Sequence, residues 1–305
     1  MPKVLIATVK PFAPKAVEEI RGVFDAAGYE TALLEKYAEK DELLNAVADA
    51  EGLIIRSDKV DADVIAVAKK LKIVVRAGAG YDNVDLEAAT NANVVVMNTP
   101  GQNSNAVAEL ALGMMVYMAR GQYNGKPGTE LKGKTVGIHA YGNVGKLVAN
   151  IAKGFGMEVI AFDPFVDSAS IEADGVTPVA TVEELYSRSN YISLHIPAND
   201  KTKGSIGEDL LNRMPKGATL VNTARKEVIC EDCLKKVFAE RDDFRYATDI
   251  APDCADDLKE FGNRYYATPK KMGAQTAEAN INAGIAAAKQ IVGFINNGDT
   301  TFQVN

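Results

Sequence analysis

The chain has 305 residues, of which 47% are hydrophobic and 25% are charged, and its formal net charge is −7. These values are ordinary for a globular protein, and the length suits two domains rather than one. An acidic chain without a basic block is not typical of a nucleic-acid-binding protein. No apolar run approaches the roughly 18 residues that span a bilayer, and no signal-like segment is visible, so we expect a cytoplasmic protein with no membrane partner.

Over the first hundred residues, short apolar runs alternate with helical stretches. The predicted strands are residues 4–9, 31–34, 52–55, 73–75 and 94–97, and the predicted helices are 14–27, 41–48, 61–69 and 85–91. Short continuous apolar strands with helices between them predict a parallel sheet that is covered on both faces.

A long apolar helix at 105–120 is followed by a polar, glycine-rich connection at 121–134. A second alternating pattern begins at residue 135. Its predicted strands are 136–138, 159–163, 191–196, 219–222, 245–249 and 265–267, and a final long helix is predicted at 274–296. The sequence therefore predicts a second parallel sheet.

The stretch from residue 135 to 163 has the pattern of a dinucleotide site: a strand, a turn at Gly142-Asn143-Val144-Gly145, a helix from 146 to 155, and a strand that ends on Asp163. Glycines let the backbone approach a pyrophosphate, and a helix N-terminus offers free N–H groups. Asp163 can accept both ribose hydroxyls and would repel a 2′-phosphate, which favours NAD over NADP. Ala140 stands where the motif has its first glycine, and an ordinary strand–helix–strand crossover is the alternative.

These patterns predict an α/β protein with two doubly wound parallel-sheet domains. We expect a flavodoxin-like domain over residues 1–99, completed by the C-terminal segment 278–305, and a Rossmann NAD domain over 100–277. Ligands in such folds collect at the carboxyl ends of the strands, so we expect a cleft between the two domains.

Several loops at predicted strand ends resemble the D-2-hydroxyacid dehydrogenases, namely residues 76–85, 97–100, 222–225 and 248–249. Segments 52–57 and 85–90 resemble the phosphoglycerate-oxidising members of that family. The resemblance runs from about residue 50 to 280. It implies a substrate domain at the N-terminus and NAD-dependent oxidation of D-3-phosphoglycerate to 3-phosphohydroxypyruvate, the first step of serine biosynthesis. It also implies a short form without a C-terminal regulatory domain, and a homodimer built around the helix at 105–120.

Arg225 is the first candidate catalytic residue, because a planar guanidinium binds a carboxylate bidentately and polarises the adjacent carbonyl. A surface ion pair is the alternative role. Backbone N–H groups of Ala79 and Gly80 would bind the same carboxylate, unless they form only a structural turn.

Lys271 is the second candidate, as the proton acceptor. The family usually has a histidine here, but this sequence reads Thr268-Pro269-Lys270-Lys271. Alignment on Gly273 and Thr276 selects Lys271, which we prefer, whereas alignment on Thr268-Pro269 favours Lys270. In the family a glutamate pairs with that histidine, but Cys254 stands at the glutamate position in this chain. A glutamate there would raise the pKa of a lysine further, which would not help a lysine base. A lysine base needs a dry or cationic neighbourhood, which Arg225 could supply; a catalytically inactive site is the alternative.

Further site residues are expected on both domains. His195 is interpreted as a cofactor-lining residue rather than the base, and His139 as structural. The resemblance places Pro197, Thr202, Thr223 and Asp249 beside the cofactor. Arg56, Ser57, Lys59 and Arg76 are candidates for binding the substrate phosphate, although solvated surface charges would look the same in sequence.

The three cysteines, Cys230, Cys233 and Cys254, suit a reducing compartment. Cys230 and Cys233 have the spacing of a redox motif, yet we expect two ordinary thiols. With only two histidines in the chain, no metal site is expected.

Two other functions remain open from the sequence. One is a different D-2-hydroxyacid dehydrogenase, such as a glyoxylate or hydroxypyruvate reductase. The other is a catalytically inactive NAD-sensing binding protein on the same fold.

Overall fold

The computed structural model describes all 305 residues, which form two compact units. Unit 1 comprises Met1–Asn103 and Thr276–Asn305, and unit 2 comprises Ser104–Gln275. None of the helices has the length and apolar character needed to cross a membrane. Nowhere do three or more His, Cys, Asp or Glu side chains cluster in a way that could hold a metal ion.

Unit 1 contains a five-stranded parallel sheet in the order β2-β1-β3-β4-β5. Its strands are β1 Lys3–Thr8, β2 Glu30–Glu35, β3 Gly52–Ile55, β4 Ile73–Arg76 and β5 Val95–Asn98. Its helices are α1 Pro14–Ala26, α2 Lys40–Val47, α3 Ala62–Val67, α4 Leu86–Asn91 and the C-terminal α12 Ala277–Asn297. This strand order is the flavodoxin-like one.

Both faces of the unit 1 sheet are buried, as its continuous apolar strands predict. In β1, Val4 and Ile6 join a core with α1 and α12, whereas Leu5 and Ala7 join a second core on the opposite face. Helix α12 begins at Ala277, three residues later than predicted, because the Thr276 side chain caps it by accepting the N–H of Ala279 at 3.1 Å.

Unit 2 contains a seven-stranded parallel sheet in the order β12-β11-β10-β9-β6-β7-β8, which is the Rossmann order with one further strand. Its strands are β6 Thr135–His139, β7 Glu158–Phe162, β8 Thr177–Pro178, β9 Tyr191–Leu194, β10 Thr219–Asn222, β11 Arg245–Thr248 and β12 Tyr265–Ala267. Its helices are α5 Ser104–Ala119, α6 Asn143–Gly154, α7 Ser168–Ala173, α8 Val182–Arg188, α9 Glu208–Arg213, α10 Glu231–Glu240 and α11 Ala255–Lys259. The predicted fold class, two doubly wound parallel-sheet domains, is confirmed.

The differences from the predicted elements lie mainly in unit 2. Helix α6 begins at Asn143 rather than at residue 146, so the glycine turn already forms its first turn. The short elements β8, α7, α8, α9 and α11 had no clear periodic signal, because each has seven residues or fewer.

The expectation of two ordinary thiols at Cys230 and Cys233 is wrong: the structure joins the two residues in a disulfide. Cys230 is the N-cap of α10, and Cys233 lies one helical turn later, with a Cα–Cα separation of 5.2 Å. This separation is within the range that a disulfide can bridge. Cys254 is the remaining free thiol.

Candidate active site

The dinucleotide turn of unit 2 begins at Ala140, directly after β6. Ala140 has φ +79°, in the left-handed region that favours glycine, and its N–H donates to the carbonyl of Phe162 at 2.9 Å. The conformation that the motif's first glycine normally adopts is therefore present, although an L-residue here costs roughly 1–2 kcal/mol.

The other two glycines of the turn have different roles. A Cβ on Gly145 would lie 2.4 Å from the Ala140 carbonyl oxygen, so this position requires glycine for close packing of α6 on β6. A Cβ on Gly142 would meet nothing within 4 Å, and Gly142 caps α6 without a side-chain hydrogen bond. The first-turn N–H groups, including those of Asn143 and Val144, thus lack a side-chain cap, which fits a pyrophosphate.

Asp163 follows β7, and its carboxylate is held in place by two backbone groups. Oδ2 accepts the N–H of Tyr141 at 2.7 Å, and Oδ1 accepts the N–H of Phe165 at 2.8 Å. Each carboxylate oxygen has a second lone pair. The two oxygens are therefore oriented and still able to accept a pair of ribose hydroxyls.

Both histidines are neutral at physiological pH. Burial lowers the pKa of His139 to about 4 and that of His195 to about 3. His139 lies 3.3 Å from the hydroxyl of Tyr186, and His195 Nε2 lies 2.9 Å from Ser193 Oγ. Neither imidazole carries a charge that could bind an anionic substrate.

The loop after β9 is held by Thr202. Its hydroxyl donates to the carbonyl of Pro197 at 2.5 Å and accepts the N–H of Asn199 at 2.9 Å. Both cofactor-side candidates in this loop are therefore fixed relative to each other.

The carboxyl ends of β10, β11 and β12 are aligned, with Asn222 opposite Thr248 and Thr248 opposite Ala267. The residues that follow, Thr223, Asp249 and Thr268, are therefore neighbours, and all three are buried. Their polar groups are only partly satisfied within the protein.

Two buried oxygens at this edge have no hydrogen-bond partner in the protein: Thr223 Oγ1 and Asp249 Oδ1. Buried polar groups are normally paired, so orphan atoms at a strand end point to a ligand. Together with the open face at Gly142, they fit the presence of a dinucleotide along this edge of the sheet.

Asp249 is a buried carboxyl that feels the charges of both candidate catalytic residues. Its Oδ2 accepts the N–H of Gly273 at 2.7 Å. Burial raises the pKa of the Asp249 carboxyl, and the N–H of Gly273 and the positive charges of Lys271 and Arg225 act in the opposite direction. Both candidate catalytic cations therefore act on the same buried carboxyl.

The backbone of each catalytic loop is fixed by side chains that the sequence analysis did not single out. Asn222 Nδ2 donates to the carbonyl of Arg225 at 2.9 Å. Thr268 Oγ1 donates to the carbonyl of Lys270 at 2.7 Å, and the carbonyl oxygen of Asp249 lies 3.0 Å from the same hydroxyl. A polar residue at or just after the last position of a strand was the available signal for both.

Cys254, at the position of the family's glutamate, provides no negative charge. Burial and the neighbouring Glu231 carboxylate raise the pKa of the Cys254 thiol to about 12, so it stays protonated. Glu231 itself accepts the N–H groups of Asp253 at 2.9 Å and Cys254 at 2.8 Å.

In unit 1, the Arg56 guanidinium is engaged by its own surroundings. Nη1 donates to the carbonyls of Lys10 at 3.0 Å and Pro11 at 3.1 Å, Nη2 donates to the side chain of Asn280, and the group lies over the Phe12 ring. Burial lowers the pKa of Arg56, and the charge of Asp58 opposes this shift.

Arg76 ends β4 and is paired with Ile55, the last residue of β3, so it lies next to Arg56, the first residue of the loop after β3. Arg76 Nε donates to the carbonyl of Arg56 at 3.0 Å, and its guanidinium covers Gly78, where a Cβ would be 1.6 Å from Nη1. Asn98 Nδ2 donates to the carbonyl of Ala79 at 2.6 Å, which fixes the peptide before Gly80.

Ser57 and Lys59 are exposed, and they line a crevice of about 450 Å³ in unit 1 together with Lys10, Lys40 and Tyr37. The crevice lies at the carboxyl ends of β1 and β3, where the chain order of the sheet reverses. Ligands commonly bind at such a switch point.

Comparisons with known proteins show the family of this chain. The model of the D-isomer-specific 2-hydroxyacid dehydrogenase NAD-binding domain matches residues 106–254. A hydroxypyruvate reductase from Thermotoga maritima is 36% identical over 282 residues, which cover 86% of this chain and 90% of that protein. The chain belongs to the D-2-hydroxyacid dehydrogenase family. Its cofactor is NAD, which fits the orphan oxygens and the glycine turn of unit 2.

Two further family members are similar to this chain. A D-3-phosphoglycerate dehydrogenase from Methanocaldococcus jannaschii is 39% identical over 269 residues, 83% of this chain and 51% of that protein. This chain thus spans about half the length of that relative. The crystal structure of an NAD⁺-bound 3-phosphoglycerate dehydrogenase from Entamoeba histolytica has 47% sequence identity to this chain and a TM-score of 0.90. The alignment covers 100% of this chain and 98% of the E. histolytica chain.

Proposed function

We propose that this dehydrogenase oxidises D-3-phosphoglycerate to 3-phosphohydroxypyruvate with NAD, as the first step of serine biosynthesis in the cytoplasm. The observation that supports the proposed chemistry is the alignment of the carboxyl ends of β10, β11 and β12, which brings the loops of Arg225 and Lys271 to the unpaired buried oxygens Thr223 Oγ1 and Asp249 Oδ1. The choice of substrate is supported by the relatives from M. jannaschii and E. histolytica, which are named for phosphoglycerate oxidation.

In the proposed mechanism, Arg225 binds the substrate carboxylate through its planar guanidinium. Lys271 Nζ, in its neutral form, takes the proton of the C2 hydroxyl. The glycine turn at Gly142 and Gly145, together with Asp163, would hold NAD, which would supply the hydride acceptor for C2. Asp249 and Thr268 hold the loop of Lys271 in position through Gly273 and Lys270.

A lysine base makes the forward reaction favour alkaline conditions, because the ordinary pKa of lysine is about 10.4. Arg225 favours the neutral form of Lys271, whereas an ionised Asp249 opposes it. Asp249 is the acid that the structure shows in electrostatic interaction with Lys271.

We propose unit 1 as the substrate domain, with Ala79 and Gly80 offering N–H groups to the carboxylate. For the phosphate, Ser57 and Lys59 are favoured by their exposure on a crevice that Lys10 also lines. Arg56 contributes through the donors that its contacts with Lys10, Pro11 and Asn280 leave free. Arg76 contributes mainly by supporting Arg56 and Gly78.

Reduction of hydroxypyruvate or glyoxylate is the second candidate activity. It is favoured by the relative from T. maritima and by the engagement of Arg56 within unit 1. The two are separated by measuring NADH consumption with 3-phosphohydroxypyruvate, hydroxypyruvate and glyoxylate. A higher kcat/KM for the phosphorylated acid supports the first proposal, a preference for an unphosphorylated acid supports the second, and no turnover of any acid supports an NAD-sensing protein.

The proton acceptor is tested with the matched variants Lys271→Ala and Lys270→Ala. We expect Lys271→Ala to lower kcat by roughly 10² to 10⁴ with nearly unchanged NAD affinity, and Lys270→Ala to be milder. The reverse order of effects would assign the role to Lys270. No effect in either variant would remove lysine from the mechanism.

We also propose a homodimer through α5. The exposed positions of this helix, Asn105, Glu109 and Gly113, recur on one side at intervals of four residues. Light scattering on the purified chain measures the molar mass and so tests the oligomeric state directly. A molar mass equal to that of the monomer would contradict the proposal.

A further inference from the structure

The disulfide between Cys230 and Cys233 lies at the first turn of α10 in unit 2. Both residues are partly exposed, so a small reagent can approach the bond. Cys230 Sγ, at the N-cap position, also receives the N–H of Cys233 at 3.3 Å. A helix N-terminus stabilises a thiolate, so this sulfur has the environment of an attacking group once the bond is open.

We propose that Cys230 and Cys233 form a reversible thiol–disulfide exchange site whose co-substrates are low-molecular-weight thiols and disulfides such as glutathione. In oxidation, the Cys230 thiolate attacks one sulfur of the small disulfide, whose S–S bond breaks and releases one thiol. The Cys233 thiolate then attacks Sγ of Cys230 in the mixed disulfide and releases the second thiol. Two protein thiols are oxidised, and one small disulfide is reduced to two thiols.

Charges around the site oppose one another. Glu231 and Asp232 lie in the first turn of α10 and disfavour a thiolate, whereas the helix terminus favours it. Both acids are engaged elsewhere: Glu231 accepts two backbone N–H groups, and Asp232 pairs with Lys235 at 3.1 Å. Their effect on the sulfurs is therefore weakened.

The exchange site is connected to the loop that follows Asp249. Glu231 stands between the two cysteines, and its carboxylate binds the N–H groups of Asp253 and Cys254. On its other side, the N–H of Cys230 donates to the carbonyl of Ile206 at 3.0 Å. The disulfide thus restrains the turn that orients Glu231, and its reduction loosens the contacts with Asp253 and Cys254.

The site is distinct from Cys254, although the three sulfurs belong to neighbouring segments. Burial and Glu231 keep the Cys254 thiol protonated, so it is a poor nucleophile. Cys254 is therefore an internal control. If oxidation were unspecific, Cys254 would also be modified. Oxidation that joins Cys230 to Cys233 and leaves Cys254 as a free thiol is therefore specific.

To test the proposal, the full chain is equilibrated in a series of glutathione buffers that range from reducing to oxidising. The free thiols are then alkylated, and the number of alkyl labels per chain is measured by mass spectrometry. We expect three labels at the reducing end, one on Cys254 at the oxidising end, and the same midpoint from both directions. Cys254→Ser should titrate at the same midpoint, with two labels at the reducing end and none at the oxidising end. Cys233→Ser should give a mixed disulfide on Cys230, and Cys230→Ser, which keeps an N-cap oxygen, should give one on Cys233.

Three labels in every buffer, a bond that reducing buffers never open, or a disulfide that includes Cys254 would each overturn the proposal. Its connection to the neighbouring loop is measured by hydrogen exchange. The amides of Asp253 and Cys254 should exchange at least threefold faster in the reduced form, while the amides of β6 stay unchanged. Equal exchange in both forms would refute that connection without bearing on the dehydrogenase activity.

Discussion

Gly273→Ala should impair both stability and catalysis, because Gly273 is packed against the carboxylate that organises the site. A Cβ at this position would lie 2.8 Å from Asp249 Oδ2 and 3.2 Å from Val107 Cγ2. Overpacking of a buried site costs about 1–3 kcal/mol. The shift that relieves it also weakens the 2.7 Å bond from Gly273 N–H to Asp249, a bond to a charged group worth about 1.5–3 kcal/mol.

Because one displacement produces both losses, they do not add in full, and we expect a fall of about 2–3 kcal/mol in the free energy of unfolding. Lys271 lies two residues away, and a misplacement of about 1 Å costs roughly 10²-fold in rate. Urea unfolding and steady-state kcat measure the two effects. The control is Gly154→Ala, where a Cβ meets nothing within 4 Å. A Gly273→Ala protein with unfolding free energy within 0.5 kcal/mol and kcat within twofold of the parent would refute this account of the loop.

Substitutions at Ala140, Asp163, His139 and Gly113 perturb four other features of the chain. Ala140→Gly should raise the free energy of unfolding by up to about 1 kcal/mol in urea, because it relieves a left-handed φ of +79° but adds unfolded-state entropy. Asp163 should make kcat/KM for NAD exceed that for NADP by tenfold or more, and Asp163→Ala should narrow the ratio. The folded pKa of His139, about 4, lies below its ordinary value of 6.5, so the stability that neutral His139 contributes is present above pH 6.5 and is lost as the pH falls toward 4. The loss should be about 3 kcal/mol in the free energy of unfolding from urea titrations, and His139→Gln should flatten this pH dependence. Gly113→Ala, at an exposed helical position with free space, should stabilise a monomer by about 0.5–1 kcal/mol, whereas a dimer packed through this face should dissociate more readily in sedimentation.

The sequence predicted the long and periodic elements best. Strands β3, β10 and β12 have the predicted limits, because apolar runs bounded by turn residues define them. It could not predict the disulfide, since two cysteines three residues apart are compatible with either free or joined sulfurs until the N-cap position of Cys230 is known. Nor could it identify the role of Gly273, which depends on a contact with Asp249 across 24 residues of chain.

The replacement of two family residues in this chain is physically consistent. By the family resemblance, a glutamate at position 254 would pair with the proton acceptor and stabilise the charged form of a lysine there, which is the form that cannot accept a proton. Cys254 avoids this, because its thiol stays protonated and the neighbouring Glu231 is occupied by backbone N–H groups. Cys254→Glu should therefore shift the rise of kcat to higher pH in a pH–rate profile. An unchanged profile in a folded Cys254→Glu protein would show that position 254 has no electrostatic influence on the proton acceptor.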